Sequence, residues 1–162
     1  MMKMMNTKEL IDPFELQIRR VCSLQARYRV LWLVGQPRSG KTRLARTVCE
    51  RNGWQYINFT LDSGYLDRLV GSEEIYRPDD FLSTLRRLCA NTDKEIIVID
   101  QIEPLLGLWS WQWQDLFFKK IGRATRLKAG VVLVTRLRTR AQLARLVPNA
   151  NHVFEMPEGE KR

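Results

Sequence analysis

The sequence has a single histidine, His152, and only three cysteines, Cys22, Cys49 and Cys89, which lie far apart. This scarcity disfavours a histidine-based zinc site and a histidine-dependent catalytic triad. Three separated cysteines without a CxxC spacing indicate buried thiols in a reducing cytoplasm, not a disulfide framework or a metal site. No apolar run approaches the roughly 18 residues of a membrane span, and the N terminus lacks the apolar stretch of a signal peptide. These absences predict a cytoplasmic protein without membrane contact.

Acidic residues are absent from Leu116 to Phe154, while the chain as a whole carries a net charge of +9. The basic residues of this stretch are Lys119, Lys120, Arg123, Arg126, Lys128, Arg136, Arg138, Arg140 and Arg145. Such asymmetry favours an anionic partner, which could be nucleotide phosphates, nucleic acid or an acidic protein face. An alternative of equal weight is that these residues form a solvated basic surface, which only keeps the protein in solution.

The chain of 162 residues is predicted to form a single domain, with an N-terminal helix in 1–28, a core in 29–156 and a tail in 157–162. Asp12 is the expected N-cap of the first helix, with Pro13 at its first position. Strands are predicted at 29–34, 54–60, 95–100, 130–136 and 152–157, and further helices at 41–52, 79–91, 109–126 and 139–147. A long connection covers 61–77. This alternation predicts a three-layer α/β/α fold around a five-stranded parallel sheet.

The segment GQPRSGKT, residues 35–42, separates the first predicted strand from its helix and fits the phosphate-binding pattern G-x-x-x-x-G-K-[ST] in full. The two glycines let successive backbone N–H groups converge on a phosphate. Lys41 is expected to reach the β- and γ-phosphates, and the Thr42 hydroxyl to ligate Mg²⁺. ATP and Mg²⁺ are the predicted cofactors. The absence of the guanine-specific motif N-K-x-D favours ATP over GTP. The predicted nucleotide-binding residues are Gly35, Gln36, Pro37, Arg38, Ser39, Gly40, Lys41, Thr42 and Arg43.

A second segment, IIVIDQIEPLL at 96–106, reads as a buried strand that ends in Asp100. Asp100 is expected to hold Mg²⁺ through its water shell. One strand and one helix separate it from Thr42, which predicts that the strand of Asp100 lies beyond an intervening strand of the sheet.

Many ATPases place a glutamate after this aspartate, whereas this chain has Gln101, and the nearest acid is Glu103. Three interpretations stay open. Glu103 activates the water if the chain turns after Asp100, although Pro104 disfavours helical geometry at the residue before it. Gln101 orients the water instead. In the third interpretation, ATP is bound and hardly hydrolysed.

With residues 35–42, Asp100 and VVLVTR at 131–136 in place, the chain resembles P-loop ATPases of the AAA+/STAND type, over residues 28–156. The resemblance implies that Thr135 contacts the water or the γ-phosphate and that Arg136 reads the phosphate charge. Arg145 matches the position of a trans-acting arginine finger. The sequence departs from this family in ending soon after the fifth predicted strand, which predicts a core without a C-terminal helical lid, whose site another subunit completes.

Size and layout further resemble the small P-loop protein of bacterial BREX phage-defence systems. That resemblance implies subunits of a defence complex as partners, and a slow ATPase that serves this complex on DNA as a switch or motor subunit. A homo-oligomer is a further expectation. The alternatives are a non-hydrolysing ATP-binding regulatory subunit and, less favoured, a small-molecule kinase.

The predicted helix at 109–126 carries five of its apolar residues on one face: Trp109, Trp113, Leu116, Phe117 and Ile121. Trp111 and Phe118 lie on another face. The simpler interpretation is that all these side chains belong to the core; the alternative is that Trp111 and Phe118 dock a subunit. A basic stripe on this helix is the candidate nucleic-acid surface and consists of Lys119, Arg123 and Arg126.

Overall fold

A five-stranded sheet forms the centre of the protein in a computed structural model that describes residues 7–62, 71 and 75–157. Its strands are β1 (Val30–Val34), β2 (Gln55–Asn58), β3 (Ile96–Asp100), β4 (Gly130–Thr135) and β5 (Val153–Glu155). All are parallel, in the order β2-β3-β4-β1-β5. The predicted parallel sheet is therefore confirmed, and β4 is the strand that intervenes between β1 and β3. Most of the predicted connection at 61–77 lies outside the described residues.

Helices cover both faces of this sheet, because its three central strands, β3, β4 and β1, are buried on both sides. They are α1 (Thr7–Val21), α2 (Lys41–Asn52), α3 (Pro78–Asn91), α4 (Glu103–Leu106), α5 (Trp111–Gly122) and α6 (Arg140–Ala144). Leu31 and Leu33 of β1 pack in one buried cluster with α1 and α2. Trp32 and its neighbours on the opposite face pack in a second cluster with α3 and α5. The three-layer α/β/α prediction is confirmed.

The first helix differs from the prediction at both ends, because it starts before Asp12 and ends at Val21, ahead of residue 28. It includes Thr7 and continues through Pro13, so Asp12 does not cap it. Leu10 and Ile11 are buried with Phe14, so the apolar stripe begins a turn earlier than the capping pattern suggested. Pro13 lies inside the helix, where it has no N–H to donate to the carbonyl four residues earlier, so packing of the apolar stripe holds the helix across it.

The predicted helix at 109–126 is shorter than expected and is preceded by α4, which the sequence analysis missed. The Ser110 hydroxyl caps α5 by accepting from the backbone N–H of Trp113 at 3.3 Å. The helix ends at Gly122, because Ala124 and Leu127 turn inward and are buried in the core.

The apolar residues of α5 divide differently from the predicted faces. Phe118 is fully buried, with its ring 5.0 Å from that of Trp32. The idea that Phe118 docks a subunit is therefore wrong. Trp111, by contrast, is 52% exposed, and Trp113 and Leu116 are each 38% exposed. The simpler interpretation, in which all of these side chains are core, is also wrong for these three.

All three cysteines are buried and free, as predicted. Burial raises the pKa of the Cys22 thiol to about 12, which disfavours the reactive thiolate. His152 is also buried, and its Nδ1 lies 2.9 Å from the carbonyl oxygen of Val30. Within the described ranges, no helix has the length and apolarity to cross a bilayer, and no group of three or more His, Cys, Asp or Glu side chains could hold a metal ion.

Candidate nucleotide site

A cavity of about 320 Å³ lies beyond the carboxyl ends of β1, β3 and β4. In open α/β sheets, this edge is where ligands bind. The cavity brings together many of the predicted site residues: 37–43 of the loop, together with Asp100, Gln101, Glu103 and Arg136. Gly35 and Gln36 line an adjoining cavity of about 150 Å³, which Arg136 also lines.

The loop between β1 and α2 has a backbone that its glycines make possible. Gly40 has a φ of 93°, a left-handed conformation that side chains rarely adopt. A Cβ at Gly35 would lie 2.8 Å from both Met156 Cβ and Ser39 Oγ, so the loop packs too closely there for a side chain. Helix α2 begins at Lys41 and directs its N-terminal N–H groups toward the cavity. The loop is therefore built as the sequence pattern requires.

The ammonium group of Lys41 lies inside this loop. Its Nζ donates to the carbonyl oxygens of Gly35, at 2.8 Å, and Gln36, at 2.7 Å. Burial lowers the pKa of Lys41, while the nearby carboxylates of Glu103 and Asp100 act in the opposite direction. The cation thus has carbonyl acceptors on one side and two acids across the cavity.

Asp100 ends β3 and is only 3% exposed. Its Oδ2 accepts hydrogen bonds from the hydroxyls of Thr42 and Tyr56, each at 2.7 Å, and its Oδ1 accepts from the backbone N–H of Gln101 at 2.8 Å. A hydroxyl beside a carboxylate, in a cavity large enough for phosphates, suits Mg²⁺, which proteins bind through one or two carboxylates and substrate phosphates. The donor set therefore fits the predicted ion.

Gln101 turns the chain sharply after β3. Its φ is 63°, and its carbonyl oxygen accepts from the Thr60 hydroxyl at 2.8 Å. Its side-chain Nε2 lies 3.5 Å from the Thr42 hydroxyl oxygen. The amide therefore lies beside the metal-ligating candidates, at the limit of a hydrogen bond.

Glu103 is the first residue of α4, and its carboxylate faces the same cavity. The expectation that Pro104 opposes a helix here is wrong, because proline is tolerated in a first helical turn. Burial raises the pKa of Glu103, and hydrogen bonds from its own backbone and that of Arg136 partly offset this rise. Its Oε2 is buried and has no hydrogen-bond partner among the described residues. A carboxylate with an unused acceptor is suited to take up a proton.

The remaining predicted catalytic residues are dispersed. Arg136 is exposed at the edge of the cavity. Thr135 is fully buried, and its hydroxyl accepts from the backbone N–H of Leu137 at 3.2 Å. It is not among the described residues that line the cavity. Arg145 lines a separate cavity with Trp111 and Arg138.

The predicted basic stripe is not a single helix face. Lys119 is exposed on α5, but Arg126 lies beyond the end of the helix with a φ of 58°. Arg123 folds back, with its Nε donating to the carbonyl oxygen of Leu146 at 3.2 Å. Arg138, which no motif singled out, is buried, pairs with Asp115 at 3.0 Å and lies 3.4 Å from the centroid of the Trp111 ring.

The loop at 35–42, the strand ending in Asp100 and the sheet order together give the chain the fold of a P-loop NTPase core. No protein-family model matches the sequence, and a search of curated proteins finds no match. Among solved structures, the chain is similar to the one titled "Crystal structure of the DnaC helicase loader". The identity is 18%, over 96% of this chain and 94% of that chain, with a TM-score of 0.44.

Proposed function

We propose that this chain binds ATP with Mg²⁺ at the loop of residues 35–42 and hydrolyses it slowly. The observation that carries the proposal is the convergence of one cation, one hydroxyl and two carboxylates on a single cavity: Lys41, Thr42, Asp100 and Glu103. Each of these groups has a role in phosphoryl transfer, where catalysis is mostly positioning and charge stabilisation.

The phosphate-binding part of the site consists of the loop and Lys41. Lys41 exchanges its carbonyl acceptors, Gly35 and Gln36, for phosphate oxygens. Thr42 and Asp100 hold the magnesium ion, which neutralises charge on the phosphates when it is bound. Arg136, at the edge of the cavity, adds a further positive charge to those of Arg38, Lys41 and Arg43.

The water-activating part of the site is Glu103. Its side chain lines the cavity, and its buried Oε2 has no hydrogen-bond partner among the described residues, which leaves an acceptor for a proton once water reaches it from the cavity. Gln101 is the second candidate, because its amide lies next to Thr42 and could orient the water without taking its proton.

Turnover is slow in an isolated chain, because Arg145 lies at another cavity and contributes no charge to its own phosphate site. An arginine finger typically contributes about 10³–10⁵ in rate. A second copy or a partner protein supplies the missing charge, which makes the chain a switch or motor subunit of a larger complex. Subunits of a phage-defence complex, and action on DNA, stay predictions from the resemblance and the basic charge.

Lys41→Ala tests nucleotide binding directly. Hydrogen bonds to charged groups contribute about 1.5–3 kcal/mol, so the dissociation constant of a fluorescent ATP analogue should rise roughly 10- to 150-fold. Lys94→Ala, which removes a lysine outside the cavity whose side chain is 48% exposed, is the matched control. Unchanged affinity in Lys41→Ala would overturn the proposal.

Phosphate release separates the three candidate functions. Release without an added acceptor identifies a hydrolase. Binding without release identifies the regulatory subunit, and transfer only to an added small molecule identifies the kinase. Competition between ATP and GTP for the same site tests the preference for adenine.

A further inference from the structure

Tyr56, a residue outside the phosphate-binding loop, donates its hydroxyl proton to Asp100. The distance from Tyr56 Oη to Asp100 Oδ2 is 2.7 Å, the same as that from Thr42 Oγ1 to this oxygen. One carboxylate oxygen thus serves both a metal-ligating hydroxyl and a phenol. No sequence motif points to Tyr56.

The sheet brings Tyr56 and Asp100 together. In the parallel pairing of β2 with β3, Asn58 lies opposite Asp100 and Tyr56 lies opposite Val98. Residues two apart on a strand share a face, so Tyr56 is the diagonal neighbour of Asp100. This contact joins the edge strand β2 to its neighbour β3.

The Tyr56 ring is held from its other side by Arg46 of α2. The Arg46 guanidinium lies 4.8 Å from the ring centroid, a cation–π contact. The ring is half-buried and packs against the apolar cluster beneath α1 and α2. The hydroxyl therefore has a hydrogen-bond partner in Asp100, and the ring is held by contacts on both of its sides.

We infer that Tyr56 is a positioning residue, which orients the Asp100 carboxylate for Mg²⁺–nucleotide binding; the inference rests on the proposed function. The Gln101 N–H fixes Oδ1 and Tyr56 fixes Oδ2, so two donors set the plane of the carboxylate. Thr42 then has a defined acceptor for its proton. A hydroxyl that donates its one proton keeps its lone pairs available, and those of Thr42 are left for a cation.

Tyr56→Phe removes the hydroxyl and keeps the ring. Loss of an outer-shell partner typically costs about 10- to 100-fold in metal affinity or activity. The measurement is the affinity for a fluorescent ATP analogue, with Mg²⁺ and with a chelator, in the full chain. We expect the ratio of the two affinities to fall about tenfold, with the affinity in chelator nearly unchanged.

Tyr28→Phe is the matched control, because Arg27 lies 5.2 Å from the Tyr28 ring centroid and this pair lies outside the site. It should keep the wild-type ratio. In an Asp100→Asn background, Tyr56→Phe should have no additional effect on the ratio, because the hydroxyl acts only through the carboxylate.

An unchanged ratio in a folded Tyr56→Phe protein overturns the inference, as does a tenfold loss that persists in the Asp100→Asn background. If Tyr56→Phe does not fold, Tyr56→Leu replaces it, since leucine also lacks the hydroxyl that binds Asp100 and keeps an apolar side chain; a wild-type ratio there overturns the inference as well. A wild-type protein that binds no nucleotide contradicts the proposed function itself, so the two failures are distinguishable.

Discussion

Replacing Glu103 by glutamine should stabilise the folded protein and slow hydrolysis. The two effects share one cause, because a half-buried carboxylate with an unpartnered oxygen is unfavourable for folding and available to a proton. Glutamine keeps the shape and removes the charge. An ordinary solvated acid at this position would show neither effect.

The expected gain in stability can be worked out from the environment of Glu103. Glutamine leaves a polar atom at the position of Oε2, so the gain comes from removing a partly desolvated charge. An unsatisfied buried group costs about 1–3 kcal/mol, and more when it is charged. Glu103 is only half-buried, so we expect a gain of about 1 kcal/mol. For a domain of this size, that corresponds to a rise of about 2–4 °C in melting temperature.

The pH dependence has a definite sign. Burial raises the pKa of Glu103 in the folded state above its ordinary value of 4.5. The protonated carboxyl therefore contributes stability that is fully present below that ordinary value and is lost as pH rises through the folded pKa. Glutamine does not titrate, so its advantage over the wild type should be largest near neutral pH and disappear in acid.

Melting curves of the nucleotide-free protein, from acid to neutral pH, measure the first effect, with Glu50→Gln on the exposed side of α2 as the control. Single-turnover phosphate release measures the second effect. General base catalysis contributes about 10²–10⁴, so release should slow by that factor while ATP stays bound. Wild-type melting and wild-type release in Glu103→Gln would refute the reasoning, and loss of release in Gln101→Ala would then assign the water to Gln101.

Three further perturbations test the loop, the missing charge and the basic surface. Gly35→Ala should abolish nucleotide binding, measured with the fluorescent analogue, because the added Cβ would lie 2.8 Å from Met156 Cβ; full binding would contradict the packing. Mixing Arg145→Ala chains with Lys41→Ala chains should partly restore phosphate release if Arg145 acts on a neighbouring copy. If release is not restored, the missing positive charge must come from a different protein. A triple alanine variant replaces Lys119, Arg123 and Arg126. If the chain binds DNA through its basic surface, the affinity of this variant in a mobility-shift assay should be lower for all DNA sequences, and it should depend less on salt concentration.

The central sheet was predictable because its three central strands are short apolar runs. Strands β1, β3 and β4 are buried along their whole length, as expected of a parallel sheet covered on both faces. Element ends were less predictable where tertiary packing overrides local signals. The Asp12-Pro13 pair carries a helix-start signal, yet burial of Leu10 and Ile11 places the helix start before it.

The phosphate loop was predictable because its function fixes residue types at adjacent positions in the chain. Tyr56 was not, because its contact with Asp100 depends on which strand is paired with β3 and in what register. The same limit applies to Trp113, which helical periodicity assigned to the core. It is instead partly exposed beneath the guanidinium of Arg77, 4.7 Å from its ring centroid.

The backbone after Asp100 explains why a glutamine can stand where many ATPases have their acid. A left-handed φ at Gln101 ends β3 abruptly and lets its N–H bind the Asp100 carboxylate. The chain then enters α4, whose first residue is Glu103, and the Glu103 carboxylate returns to the cavity that Asp100 lines. The structure thus places an acid in the cavity three residues after Asp100, and the Gln101 amide beside Thr42. Under the proposed function the two side chains would have separate roles, with Glu103 acting on the water and Gln101 lying next to the residues that would hold the metal ion.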